Sequence, residues 1–506
     1  MSGEGQRAAR ALRSIVIVGG GTAAWMAAAA LAKVMASASC ALTLIEPRAD
    51  GTAGAAEGSI PNLRAFHRLL DIDERELLRA TRASFKLATR FHDWRARGDS
   101  FLHPFGSYGL DVRHEVFQAY WLARKQAGSA SRLEEWSVTG LAAALGRFGA
   151  RPASDSSPLR HLSYAYHFDA ALYARFLRIY AEKRGVHRIE GEVTDVTLDP
   201  MGRIESLRLS EGRSVSGDFF IDCSGAEARL IGQALEIGYE DWSHWLPCDR
   251  LVAIDCESAE DPAPITESRA RESGWQWRIP LQGRTGHGHV YCSAYLSDDE
   301  AATAVPGGAP GTLRCEPRLQ RFKAGRRASP WVRNCLALGE AAGFLEPLEW
   351  TGSHLVQTGL GRLFALFPDR DFEPAIGAEY NRLAALEYER LRDFLILHYA
   401  ASQRDDAPLW RHCRAMPLPP TLAHKRDLFA RTGRIVTLEE ETFSPASWLA
   451  IYVGLGVWEG RHEPVIDLLG SPAMASRLEA MPATIRKAVE TLPAHATYLK
   501  EVATLA

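Results

Sequence analysis

The sequence predicts an α/β fold: a parallel sheet of Rossmann-like type, interrupted by an inserted domain and followed by a mainly helical C-terminal region. Three observations predict it. A complete β-α-β unit lies between Ser14 and Glu46 around a glycine turn. Two later strand-like runs, Phe219 to Asp222 and Asn334 to Leu338, each end in a glycine-containing turn. A long amphipathic helical pattern from Glu379 to Tyr399 opens a helix-rich final third. At 506 residues, with 46% hydrophobic and 24% charged residues, the chain can fill a large core, and about 150 residues per domain suggests two to four domains. The expected division is a core over 10–360, assembled from separated segments with substrate-binding insertions, and a helical region over 361–506 that completes the substrate pocket.

Composition excludes several classes. The net charge of −3 argues against a nucleic-acid partner. The longest apolar run, Ala23 to Ala32, is too short for a bilayer, which needs about 20 residues. The eight cysteines contain no CxxC, and no metal constellation has convincing spacing, so they read as reduced thiols of a cytoplasmic protein. Arg7, Arg10 and Arg13 before an apolar stretch imitate a secretory signal. Gly19 to Gly21 interrupt that stretch, and cleavage would remove the best motif, so the signal reading is rejected.

Ser14 to Val18 is rich in β-branched residues, as a buried strand should be. Gly19-Gly20-Gly21-Thr22-Ala23-Ala24 follows as G-x-G-x-x-A. Trp25 to Val34 reads as a helix, and Ala41 to Ile45 as a second strand ending in Glu46. Gly19 makes the tight turn. Gly21 lets the backbone approach a pyrophosphate, and Ala24 lets helix and strand pack closely. The helix start offers free N–H groups to phosphate, and Glu46 offers an acceptor to a ribose diol. This spacing specifies dinucleotide binding but leaves FAD and NAD open. Gly339-Glu340-Ala341-Ala342, after the second return strand, matches the G-[DE]-A-A segment with which flavin hydroxylase-type folds hold FAD.

Further along, Asp73 to Ala83 and Tyr173 to Lys183 read as helices. Phe85 to Phe91 alternates as a strand, with Phe85, Leu87, Thr89 and Phe91 opposite Lys86, Ala88, Arg90 and His92. Ile204 to Leu209, Ser214 to Ile221 and Val290 to Tyr295 are expected strands, and Asp298 to Ala304 an expected helix. Arg151 to Pro158 and Pro306 to Pro310 are expected linkers.

Trp275-Gln276-Trp277-Arg278-Ile279-Pro280 reads W-x-W-x-I-P. With the glycine turn and the following Trp25-Met26, it closely resembles the signature pair of the flavin-dependent tryptophan-halogenase family. Further matches in register are Glu57-Gly58-Ser59-Ile60-Pro61, resembling the family's flavin strap including Ala56, and Phe85-Lys86-Leu87, resembling the segment with its lysine. His103-Pro104-Phe105-Gly106 resembles the aromatic substrate wall, and Phe344 to Gly352 the halide and flavin loop.

The resemblance implies FAD, used as FADH2 and supplied by a separate NAD(P)H-dependent flavin reductase. Oxygen and chloride or bromide then give hypohalous acid, which reaches Lys86 through a tunnel and halogenates an electron-rich aromatic such as an indole. Lys86 is the expected catalytic cation, able to hydrogen-bond and polarise hypohalous acid, and Glu349 the expected acid–base partner. Thr351 and Gly352 are the expected halide-binding backbone positions. Trp275 and Trp277 would line the tunnel. His103 and Phe105 would stack on the substrate, with Trp448 or Trp458 as a second wall. The resemblance allows a homodimer.

Two departures stand out. Trp350 occupies the place of a serine usual in tryptophan-specific members, and Ala55-Ala56-Glu57-Gly58 departs from the glycine-rich strap pattern. The tyrosine pair and glutamate that clamp free tryptophan are not found. These features point to a sister branch and bromination as the easier reaction. The alternatives are a single-component FAD-dependent aromatic monooxygenase and a catalytically impaired flavin-binding protein.

Overall fold

The structure, a computed structural model, describes residues 10–48, 54–129, 131–149, 156–258, 260–308, 311–461, 463 and 472–504. The chain divides into two compact units. One comprises Met1–Arg82, Phe168–His244 and Phe322–Tyr388; the other comprises Ala83–His167, Trp245–Arg321 and Glu389–Ala506. The boundary expected at 360 falls inside the helix Gly352–Ala365. Each unit is instead woven from three separated segments, because strands distant in sequence close one sheet.

The first unit is built on a six-stranded sheet in the order Trp331–Val332, Cys335–Ala337, Phe219–Asp222, Ser14–Val18, Ala41–Glu46 and His187–Glu190. All neighbours are parallel except the first pair. The two return strands expected from sequence thus lie beside Ser14–Val18. The helix Thr22–Val34 packs against Ala170–Glu182. Its unbroken buried run from Ala24 to Ala32 explains why the alanine-rich segment is apolar all round.

The second unit holds a seven-stranded sheet in the order Arg318–Arg321, Arg250–Glu257, Arg284–Tyr291, Gly274–Leu281, Ile265–Ala270, Ala88–His92 and Ser100–Pro104. Helices form most of its C-terminal part, from Pro408–Ala415 through His495–Thr504.

Several elements differ from expectation. Phe85 to Phe91 is two strands, Ser84–Lys86 and Ala88–His92. Leu87 breaks the alternation because its N–H donates to Pro264 O at 2.8 Å while its carbonyl accepts from Phe105 N at 3.0 Å. The strand expected at Val290 to Tyr295 is Arg284–Tyr291. Its Thr285-Gly286-His287-Gly288 start conceals it, since the Trp277 ring lies where a Cβ on Gly288 would be, 2.2 Å from Cε2. Ser214 to Ile221 splits at Gly217 and Asp218, where the Asp218 carboxylate accepts from Arg13 N. The helix expected from Asp73 is Glu74–Ala80, with Asp73 as its cap, accepting from Arg75 N and Glu76 N. Pro158 opens a short 3-10 turn, and residues 306–308 end the helix Asp298–Gly308. The rest of the two expected linkers, 151–155 and 309–310, lies outside the described residues, apart from Ser156 and Ser157.

Candidate functional site

In the first unit the segments expected to hold the dinucleotide converge. Gly19 adopts φ +134°, and a Cβ there would lie 2.1 Å from the Cys223 carbonyl oxygen. Its N–H donates to Ile45 O at 2.8 Å. Only glycine fits this turn. Gly21 differs: no atom lies within 4 Å of its would-be Cβ. It caps the helix Thr22–Val34 without a side-chain cap, so the N–H groups of Thr22, Ala23 and Ala24 face this open cradle unspent by the helix. Gly339, at φ +64°, packs with a would-be Cβ 2.8 Å from Ala23 Cβ. This close approach joins the Gly339-Glu340 segment to the first helix.

Glu46 is buried. Its Oε2 accepts from Trp25 Nε1 at 3.1 Å and its Oε1 from Arg188. Each oxygen keeps a lone pair for a ribose hydroxyl. These residues fit a dinucleotide on the chemistry of the cradle. Gly21→Val should leave the melting temperature nearly unchanged while weakening FAD binding about tenfold or more, because the side chain fills space where phosphate is held. Flavin fluorescence titration checks this.

Ala56 is buried in the short strand Ala56–Gly58. Burial, then the charges of Glu340 and Asp169, push the Glu57 carboxyl up to about 7. An unfolded glutamate titrates near 4.3. Between those values the native state holds a proton that the unfolded state has released, so this group makes stability fall as pH rises from about 4.3 to about 7. Glu57→Gln should flatten that fall, read as melting temperature against pH.

The loop before the helix Gly352–Ala365 carries Glu349 and Thr351, both nearly fully buried, and Trp350 in a left-handed conformation at φ +59°. Gly352 begins the helix with no atom within 4 Å of its would-be Cβ, and Thr351 provides no side-chain cap. The first helical bond here is Leu355 N to Thr351 O. The N–H groups of Gly352 and its neighbours are therefore unspent by the helix, the arrangement an anion needs. The Trp350 ring lies over Gly58, whose would-be Cβ is 2.8 Å from Trp350 Cγ. Sequence reasoning missed the support behind this helix. Glu387 meets His354 at 3.2 Å and Arg362 at 2.8 Å and accepts from Thr358 Oγ1. Burial raises the Glu387 carboxyl, but hydrogen bonding to His354 and the Arg362 charge hold it below its usual value.

In the second unit, Lys86 is 0% exposed, and its Nζ lies 5.3 Å from the centre of the Phe105 ring. The Phe105 N–H bond to Leu87 O fixes this pairing. His103 is buried beside Phe394 and Phe443, with ring centres 5.9 and 6.0 Å away. These two phenylalanines stack at 3.9 Å and were not singled out from sequence; their spacing of 49 residues hides the pair.

Trp275 and Trp277 are buried on one face of Gly274–Leu281. Trp275 approaches Trp94 at 6.2 Å, so part of its role is packing. Trp448, expected as a second wall, is spent inside the protein. Its Nε1 donates to Glu441 at 3.1 Å, and the Lys425 ammonium sits 3.9 Å above its ring. Trp458 donates to Arg461 O. Among the described residues no group of three or more His, Cys, Asp or Glu side chains could hold a metal ion. Among the described residues no helix is long and apolar enough to cross a membrane.

The family model described as Tryptophan halogenase matches residues 14–471. The chain belongs to the tryptophan halogenase family. It is 34% identical to tryptophan 6-halogenase SttH of Streptomyces toxytricini over 515 residues, covering 96% of this chain and 97% of that protein. Two solved structures are more similar. BrvH, a flavin-dependent halogenase from Brevundimonas sp. BAL3, has 44% identity and a TM-score of 0.92. Xcc4156, a flavin-dependent halogenase from Xanthomonas campestris, has 42% identity and a TM-score of 0.93. Each covers 97% of this chain and 99% of its own. This halogenase is therefore a flavin-dependent oxidoreductase, and the α/β fold with a helical C-terminal region is the family's.

Proposed function

We propose that this halogenase uses FADH2, O2 and chloride or bromide to halogenate an indole or similar electron-rich aromatic at Lys86. Gly19, Gly21, Thr22, Ala23, Ala24, Glu46, Ala56, Gly339 and Glu340 would hold the flavin. When bound and reduced, it supplies the electrons with which oxygen converts halide to hypohalous acid. Thr351 and Gly352 offer backbone N–H groups to the halide. Trp275 and Trp277 are the proposed tunnel residues.

Lys86 then does the decisive work. Its ammonium donates a hydrogen bond to the oxygen of hypohalous acid and makes the halogen more electrophilic. The ring gains halogen and loses one proton, and the hydroxide released takes a proton from the ammonium and leaves as water. Glu349 is the proposed acceptor of the ring proton. His103 and Phe105 hold the ring by stacking. The observation that carries this reading is a lysine with no exposed surface against an aromatic ring, in a chain of this family.

The absent amino-acid clamp favours an aromatic without a recognised carboxylate. The test supplies bromide, oxygen, FAD, indole and a separate NADH-dependent flavin reductase, with catalase present. Bromoindole only when the reductase is included supports the reading. Oxidation of NADH by this chain alone, giving hydroxyindole, would replace it with a single-component monooxygenase. FAD binding with no product from any electron-rich aromatic would replace it with a flavin-binding protein. A homodimer and a cytoplasmic location complete the proposal.

A further inference from the structure

The strand that carries Lys86 is anchored by a directed line of hydrogen bonds that the reaction above does not use. Ser84–Lys86 pairs antiparallel with the stretch Ala165 to His167, with Ser84 opposite His167 and Lys86 opposite Ala165. Side chains alternate across a pleated strand, so Ser84, Lys86 and His167 share one face, while Phe85 and Tyr166 share the other. Ser84, Lys86 and His167 are each 0% exposed, and Thr266 is 1%.

The proton positions follow from the partners. Ser84 Oγ donates to Pro280 O at 2.7 Å, which commits its only hydrogen. Its 3.3 Å contact with His167 Nδ1 therefore has the imidazole as donor. His167 Nε2 is then the acceptor, and Thr266 Oγ1 donates to it at 2.8 Å. The line runs Thr266 to His167 to Ser84 to Pro280 with both ring nitrogens satisfied. Burial, then the charges of Lys86 and His495, push the imidazole well below its usual range, so it is neutral. Pro280 closes the W-x-W-x-I-P segment, so this line ties that segment to the strand of Lys86.

We propose that His167, held between Thr266 and Ser84, is a positioning residue for Lys86: it fixes the strand that presents the ammonium. This rests on the reading of Lys86 as the group that delivers halogen. A wrong imidazole tautomer or a lost Ser84 link would let the ammonium drift, and a displacement of about 1 Å costs on the order of 100-fold in rate. Hypohalous acid would then escape instead of reacting with the ring.

The experiment compares His167→Phe, His167→Asn, His167→Gln and Ser84→Ala with wild type and Lys86→Ala. It measures kcat and KM for indole, oxygen uptake, and the ratio of bromoindole to free hypobromous acid caught by monochlorodimedone. Asparagine places an N–H where Nδ1 stands, and glutamine reaches only the Nε2 position. The expected result is a fall in kcat of about tenfold or more for His167→Phe and Ser84→Ala, with KM within about twofold. Trapped hypobromous acid should rise at unchanged oxygen uptake. His167→Asn should recover most of the lost product and His167→Gln little.

Wild-type product ratios in Ser84→Ala, or equal recovery by asparagine and glutamine, would overturn the proposal. If His167→Phe does not fold, Ser84→Ala and the two amide variants carry the test. A Lys86→Ala ratio equal to wild type would instead sink the reading of Lys86 itself. Full leakage from Lys86→Ala with wild-type behaviour of the other four would remove only the role of His167.

Discussion

Lys86→Ala is expected to reduce bromoindole formation by on the order of 10²–10⁴-fold, the range for removing a positioned proton donor. FAD affinity should stay within about twofold, because the cradle is built from Gly19, Gly21, Glu46 and Gly339. The reason is chemical. Free hypohalous acid attacks an indole without positional direction, whereas a fixed donor that polarises it also places the halogen. The ammonium can do so only where water does not compete, and Lys86 has no exposed surface. The Phe105 ring face lies 5.3 Å from its Nζ. Lys86→Arg tests geometry separately from charge. Its planar guanidinium keeps the cation but cannot occupy the same point, so recovery should be below a tenth of wild type. Mass spectrometry of the product with catalase present reads both variants. Product from Lys86→Ala at the wild-type rate would assign the chemistry to another group.

Much of this architecture was legible in the sequence, and the reasons are specific. The turn at Gly19 and the strand of Ser14 to Val18 follow from local rules, so the β-α-β unit stands where the spacing places it. The return strands Phe219–Asp222 and Cys335–Ala337 were readable because buried parallel strands are continuous apolar runs. Arg284–Tyr291 was misread because its glycines are dictated by a partner strand. Nothing local marks Gly288 as the floor beneath Trp277. The break at Leu87 is likewise set by Pro264 and Phe105, both distant in sequence.

At the site, residue types were legible and their company was not. Trp448 looked like a substrate wall because it is a tryptophan near a glycine turn. Its N–H and ring face are taken by Glu441 and Lys425, which lie before it on other elements. Phe443 and Phe394 stand beside His103 instead. His167 carried no motif at all, since its partners Ser84 and Thr266 are 83 and 99 residues away.

Trp350 in the halide loop and Gly58, within the strap segment Ala55-Ala56-Glu57-Gly58, form one packing unit, and this leads to a prediction of sign. The Trp350 ring occupies the space in front of Gly58, with Cγ 2.8 Å from the would-be Cβ. Trp350 itself is only 8% exposed. Trp350→Ser should therefore cost about 3–5 kcal/mol, the cost of emptying a buried tryptophan site. Gly58→Ala alone should cost about 1–3 kcal/mol, because a rigid ring and a strand backbone must part. In the Trp350→Ser background the ring is gone, and the same Gly58→Ala change should stabilise by about 0.5–1 kcal/mol through reduced freedom of the unfolded chain. The reversal of sign is the test, read from urea midpoints of the four proteins in a double-mutant cycle. An unchanged sign would mean that strap and halide loop are energetically independent. A reversal makes Gly58 the condition for Trp350.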